Sequence, residues 1–228
     1  MNKLTKRYKG ILILWLFVLT APGFAQKAAT QQEKDAAYTK VITQRAAKIV
    51  AALGINDSLK AKRVQEIIVS QYHNLSEIHD TRNEQVKAVK ADSTKSKEEK
   101  NTLLKKIDSE RDAKLAKLHS WYLSELSKEL TQEQVDKIKD GMTYGKVQFT
   151  YNGYLQMILN LTDVQKKQIL DWLIEARELA MDAGSSEEKT AIFGKYKGRI
   201  ANYLSAQGYD LKKEQEERNK RIKDANAK

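Results

Sequence analysis

The chain of 228 residues contains no cysteine, a single proline and only 7% aromatic residues. Without cysteine there can be no disulfide, no thiolate nucleophile and no thiolate-built zinc or iron–sulfur centre. The single proline is Pro22, so nothing after it breaks a helix through a pyrrolidine ring. The apolar run from Ile11 to Thr20 is shorter than the roughly 18 residues that span a bilayer, and no later run approaches that length. No G-x-S-x-G, no G-x-x-x-x-G-K-[ST] and no G-x-G-x-x-G occurs, which removes the commonest local signatures of hydrolases, phosphate loops and dinucleotide sites.

What is present is charge. Lys and Arg number 41 against 30 Asp and Glu, a formal net charge of +11. Lys3, Lys6, Arg7 and Lys9 precede the apolar run, and Gly23-Phe24-Ala25 follows it as a small-x-small cleavage site. Residues 1–25 therefore read as a secretory signal, with cleavage expected between Ala25 and Gln26. Lacking a cysteine after that run, the chain is expected to carry neither a lipoprotein anchor nor a transmembrane anchor. The expected address is the periplasm or the medium. Nucleic acid is a poor partner for an exported chain whose bases are interspersed with acids.

Apolar periodicity predicts helices throughout. The first covers about 32–53, with Val41, Ile42, Ile49 and Val50 on its inner side and Gly54 as stop. Two long helices follow, joined by the polar link Asp92-Ser93-Thr94-Lys95. At about 35 residues and about 50 Å each, they should fold back as an antiparallel hairpin over 57–130. Their apolar stripe thins toward the link, and bases outnumber acids between Lys87 and Lys117, so the tip should stand in solvent. Shorter helices open at Leu130-Thr131-Gln132-Glu133-Gln134, at Leu161-Thr162-Asp163-Val164-Gln165 and at Ser185-Ser186-Glu187-Glu188. Each start carries the capping-box pattern. The stretch Gly145 to Tyr151 alternates Val147, Phe149, Tyr151 against Lys146, Gln148, Thr150, a period of two that predicts an extended segment laid across helices. The expected fold is all-α: a long antiparallel helical hairpin on a compact helical body, with one short extended aromatic segment. A single domain over 26–209 and a charged, solvated tail over 210–228 complete the organisation.

Two resemblances bear on this pattern. The paired Leu-Thr-x-x-Gln motifs resemble those of the Spy/CpxP family of periplasmic helical chaperones, which implies a holdase role and a cradle-shaped homodimer. A resemblance covering most of the chain lies in Tyr38–Asp57 (YTKVITQRAAKIVAALGIND), Lys139–Leu161 (KDGMTYGKVQFTYNGYLQMILNL) and Glu175–Leu211 (EARELAMDAGSSEEKTAIFGKYKGRIANYLSAQGYDL). These stretches resemble the secreted bacterial domain-of-unknown-function family catalogued as thirty-eight twenty-six, whose members occur in polysaccharide-degrading bacteria with an outer membrane. That resemblance implies export and a helical fold, and it transfers no catalytic residue.

Candidate chemistry is sparse. His73, Glu77 and Asp80 share a helix face at ligand-type spacing, but a solvated face explains them as well, and no metal or other cofactor is expected. Glu175 and Asp182 sit on one helix and cannot flank a glycosidic bond as a hydrolase requires. Gly194-Lys195-Tyr196-Lys197-Gly198-Arg199 reads either as an anion site built on Lys195, Lys197 and Arg199 or as a glycine pair that lets a neighbouring helix approach. Tyr144, Phe149, Tyr151, Asn152 and Tyr154 could stack on sugar faces and bond their hydroxyls, or simply plug the core. The expected function is non-catalytic binding of a polypeptide client or an acidic glycan. An enzyme or accessory factor in polysaccharide breakdown is the alternative.

Overall fold

Side chains that accept from otherwise unpaired amides set where the helices begin. Residues 30–227 are described by the computed structural model, and they form eight helices and no strand. Thr30 and Glu33 close a reciprocal capping box on α1 (Gln31–Ala51), and Ser96 and Glu99 do so on α3 (Lys97–Glu129). Thr131 with Gln134 caps α4 (Gln132–Met142), and Thr162 with Gln165 caps α6 (Asp163–Met181). Asp57 and Asp210 each accept two amides at the starts of α2 (Ser58–Ala91) and α8 (Leu211–Asn226). Ser185 caps α7 (Ser186–Ala206), while α5 (Lys146–Met157) starts at Gly145 with no side-chain cap. Such caps satisfy helix-end donors and contribute about 1 kcal/mol each. The signal segment expected over 1–25 lies outside the described residues.

Helices α2 and α3 run side by side in opposite directions. Lys100 donates to the Lys90 carbonyl at 3.2 Å, Arg82 pairs with Asp108 at 2.8 Å, and Arg63 pairs with Glu129 at 2.7 Å. Val64, Ile68 and Leu75 of α2 meet Tyr122 and Leu126 of α3 in a first core, which Ala46, Ile49 and Val50 of α1 and Ile138 of α4 complete. A second core joins α5, α6 and α7 through Val147, Ile169, Leu173, Phe193, Ile200 and Leu204. Met181, the last residue of α6, is buried in the first core rather than the second. Helix α6 thus reaches from one core into the other.

The aromatic stretch is helical, which corrects the extended segment expected for it. The alternation covers seven residues only. Carried on to Ile158, the inward positions are Val147, Tyr151, Tyr154, Leu155 and Ile158, the i, i+4, i+7, i+8, i+11 spacing of a helix face. Phe149 is 82% exposed, and Gln148 donates to Asn152 at 2.7 Å across one helical turn. Asn152-Gly153 therefore lies mid-helix instead of in a turn. The true break is Tyr144-Gly145, both left-handed with φ of 60° and 63°, a region in which a bulky side chain is strained.

The glycines of α7 also depart from expectation. A Cβ at Gly194 or Gly198 would meet nothing within 4 Å, so no helix among the described residues packs on them. Close approach occurs instead at Gly141 in α4, where a Cβ would lie 2.8 Å from Ile49 Cγ1. These two sites should respond oppositely to alanine. Gly141→Ala is expected to lower stability by about 1–2 kcal/mol through overpacking, and Gly198→Ala to raise it by about 0.5–1 kcal/mol through helix propensity. Urea unfolding of the two variants checks both signs.

Candidate functional site

An open groove of about 470 Å³ lies where α5, α7 and α8 converge. The chain reverses after α4 through Tyr144-Gly145, with the Gly145 amide donating to the Asp140 carbonyl at 2.8 Å, and α5 then lies along α6. Its inner side joins the second core, which leaves Phe149, Asn152 and Gln156 facing outward. Tyr154 bridges to α7, its hydroxyl 3.4 Å from the Lys197 carbonyl, and burial raises its phenol above the ordinary value. Helix α8 supplies the far wall with Gln215 and Arg218. It is held by Arg221, whose Nη2 donates to the carbonyls of Gln156 at 2.8 Å and Met157 at 3.1 Å. A cation on those carbonyls satisfies the end of α5 and matches its helix dipole. Arg218 Nη2 donates to Gln156 Oε1 at 3.1 Å. None of the lining residues is Asp or Glu, while Lys197 and Arg218 both are cations.

The groove gathers Phe149, Asn152, Tyr154 and Lys197 from the candidate residues. Tyr151 is half-buried against the second core, and Tyr144 stands 53% exposed at the α4–α5 turn, outside the groove walls. Lys197 points about 200° away from Lys195 and from Arg199 around α7, and the latter two, one turn apart, extend to different neighbours. Lys195 lines a different groove, between α3 and α7. Arg199 places its guanidinium 4.5 Å from the Trp172 ring centroid and 3.3 Å from Glu175 Oε2. Gln156, Gln215 and Arg218 are missing from the sequence reading. The spacing Leu211, Gln215, Arg218 marks the face that α8 turns toward the body, and the dense charge of the tail hides it.

A second polar cluster joins the two cores. Arg177, 6% exposed, donates to Asp136 at 2.7 Å, Asp140 at 3.0 Å and Glu178 at 3.2 Å. Burial opposes its charge, but the bond to Asp140 and the neighbouring carboxylates outweigh that, so its pKa is raised. Lys139 pairs with Glu178 at 2.9 Å. His119 Nδ1 lies 2.8 Å from Asp182 Oδ2, and its Nε2 lies 3.8 Å from Glu178 Oε2. His79 Nε2 is 2.8 Å from the Asp182 carbonyl oxygen, and its ring occupies the space a side chain at Gly184 would need. Lys189, 5% exposed, donates to the carbonyls of Ala180 and Met181, and desolvation lowers its pKa to about 8.

Beside this cluster the α3–α7 groove, about 610 Å³, carries Asp112, Asp182 and Glu188. Each of these carboxylates is engaged: Asp112 by Arg111, Asp182 by His119 and Glu188 by the Gly184 amide. Among the described residues no group of three or more His, Asp or Glu has metal-ligating geometry. His73 lies edge-on to Tyr38, and Asp80 accepts from Ser76.

The fold and groove define an all-helical protein with an open aromatic and cationic face. The family model described as "Protein of unknown function (DUF3826)" matches residues 39–224, and the chain belongs to that family. No curated protein matches the chain. The resemblance to Spy/CpxP proteins has no support among these matches. Its Leu-Thr-x-x-Gln motifs act here as the capping boxes of α4 and α6.

The hydrogen bond to Asp182 raises the His119 pKa against desolvation, and the charges of Asp182 and Glu178 add to it. A raised histidine pKa contributes stability in full below the unfolded value of about 6.5, and that stability is lost as pH rises through the folded value. His119→Gln should therefore be destabilised relative to wild type at about pH 5.5, with the gap closing toward about pH 8.5. Denaturant unfolding of both proteins across that range measures it.

Proposed function

We propose that the protein is an exported, non-catalytic binding protein whose α5–α7–α8 groove takes a segment of acidic glycan. The observation that carries this reading is the groove's make-up: a freely exposed Phe149 beside Tyr154, three side-chain amides, two cations and no carboxylate. An aromatic face offers stacking to the C–H face of a sugar ring. Asn152 and Gln156 keep their amide N–H groups, and Gln215 its carbonyl oxygen, for ring hydroxyls, the opposite end of each amide bonding within the protein. Lys197 and Arg218 favour a carboxylate-bearing ring over a neutral one. The groove is open to solvent, which suits a chain more than a small enclosed molecule.

Hydrolysis of a glycosidic bond calls for two carboxyl groups facing each other across the substrate. With none at the groove walls, the composition supports holding a glycan rather than cutting it. The apolar surface of the walls comes largely from Phe149, Tyr154 and Met157, and the three amides and two cations beside it suit the hydroxyls and carboxylates of a glycan. Export rests on the charged and apolar pattern of residues 1–25.

Calorimetric titration with oligogalacturonate and, separately, with a reduced unfolded polypeptide tests the reading. Oligogalacturonate is expected to bind, and Phe149→Ala to weaken it about 10-fold or more, equivalent to about 1.4 kcal/mol. Thermal unfolding should be unchanged, because the ring is 82% exposed. Equal affinity of Phe149→Ala and wild type, or binding of the polypeptide alone, would contradict the proposal.

A further inference from the structure

Five of the arginines hold a carboxylate: Arg63, Arg82, Arg111, Arg177 and Arg199. Arg218 holds none and makes no ion pair among the described residues. Its Nη2 donates to the neutral amide oxygen of Gln156, and its Nε, which is buried, has no acceptor among the described residues. A buried donor left unpaired is costly, and more so on a charged group. Nε and Nη2 form the side edge of the guanidinium, the edge whose two parallel N–H groups match the two oxygens of a carboxylate. Arg63 shows that mode within this chain, with Nε and Nη2 donating to the two carboxylate oxygens of Glu129 at 2.7 and 3.0 Å.

We infer that Arg218 is the residue that recognises a carboxylate in the groove, and that an acidic ligand takes the edge now shared with Gln156. The inference rests on the reading of the groove given above and names its specificity residue. Gln156 is exposed, so its side chain can rotate away, and a carboxylate then supplies the acceptor that Nε lacks. Arg221, one turn further along α8, fixes the backbone through two carbonyls of α5, so the Arg218 edge is positioned before ligand arrives. Lysine cannot substitute, because an ammonium is a point charge and offers no paired edge.

The ring that bears the carboxylate has room at Gly153. A Cβ there would meet nothing within 4 Å, although glycine inside a helix is unfavourable relative to alanine. The residue leaves open space on the groove's α5 wall. A leucine at this position would set its Cβ in open space on a residue that lines the groove.

Trigalacturonate and its neutral counterpart, the α-1,4-linked galactose trisaccharide, separate the inference from the groove reading. They are titrated against wild type, Arg218→Gln, Arg218→Lys and Gly153→Leu, with melting temperature recorded for each. Wild type should prefer the acidic trisaccharide. Arg218→Gln should lose at least about 10-fold for the acid and leave the neutral sugar unchanged, and Arg218→Lys should not restore the preference. Gly153→Leu should abolish binding of both while melting no lower than wild type. Unchanged affinity of Arg218→Gln for trigalacturonate, with Gly153→Leu still blocking it, overturns the role of Arg218 and leaves the groove in place. Unimpaired binding by Gly153→Leu, or no binding of either sugar by wild type, overturns both.

Discussion

Arg177 is a cation placed where almost no water reaches it, and three carboxylates from two helices converge on it. A buried charge removed from its partners costs about 3–5 kcal/mol, so α4 and α6 are fixed to one another at this point. Everything else in the arrangement follows the same line. Lys139 and His119 share Glu178, His119 and His79 meet at Asp182, and Lys189 caps the last carbonyls of α6. The hydrophobic effect builds two cores, one around α2 and α3 and one around α6 and α7. Directional polar contacts between them specify how the two are set against each other, a task that apolar packing alone performs with less selectivity.

That division places the groove. With one side of α6 committed to the polar seam and the first core, α5 and α7 pack on its other sides, and α8 closes over the end of α5. Helix α8 buries none of its residues fully, and it is held by Leu211 against the second core and by Arg218 and Arg221 at the end of α5. The binding face therefore stands on the second core and is bounded by the least deeply packed helix. Phe149, Asn152 and Gln156 are free to meet a ligand because the opposite side of α5 supplies the apolar contacts that hold it.

Local signals in the sequence marked most helix boundaries. Thr131, Thr162 and Ser185 act as the caps their patterns suggest, because capping is decided within four residues. The aromatic stretch was misread for the same reason: over seven residues, period two and period 3.6 select overlapping sets, and only the continuation to Ile158 separates them. Of the two readings of the α7 glycine pair, close helix packing fails, since no sequence signal says whether a neighbour is present. Half of the candidate site was legible through its aromatic and cationic residues on α5 and α7. Arg218 and the polar seam were not, because His119 and Asp182, or Gln156 and Arg218, are brought together by tertiary folding across some sixty positions.

The claim that Arg177 couples the two cores is tested by hydrogen exchange on Arg177→Met across a denaturant series. A methionine fills much of the volume and leaves Asp136, Asp140 and Glu178 without their shared cation. The account predicts that amides of α5, α6 and α7 exchange through an opening separate from, and easier than, that of α2 and α3, whereas the wild type opens both together. Joint exchange of both cores in the variant, at wild-type stability, would contradict it.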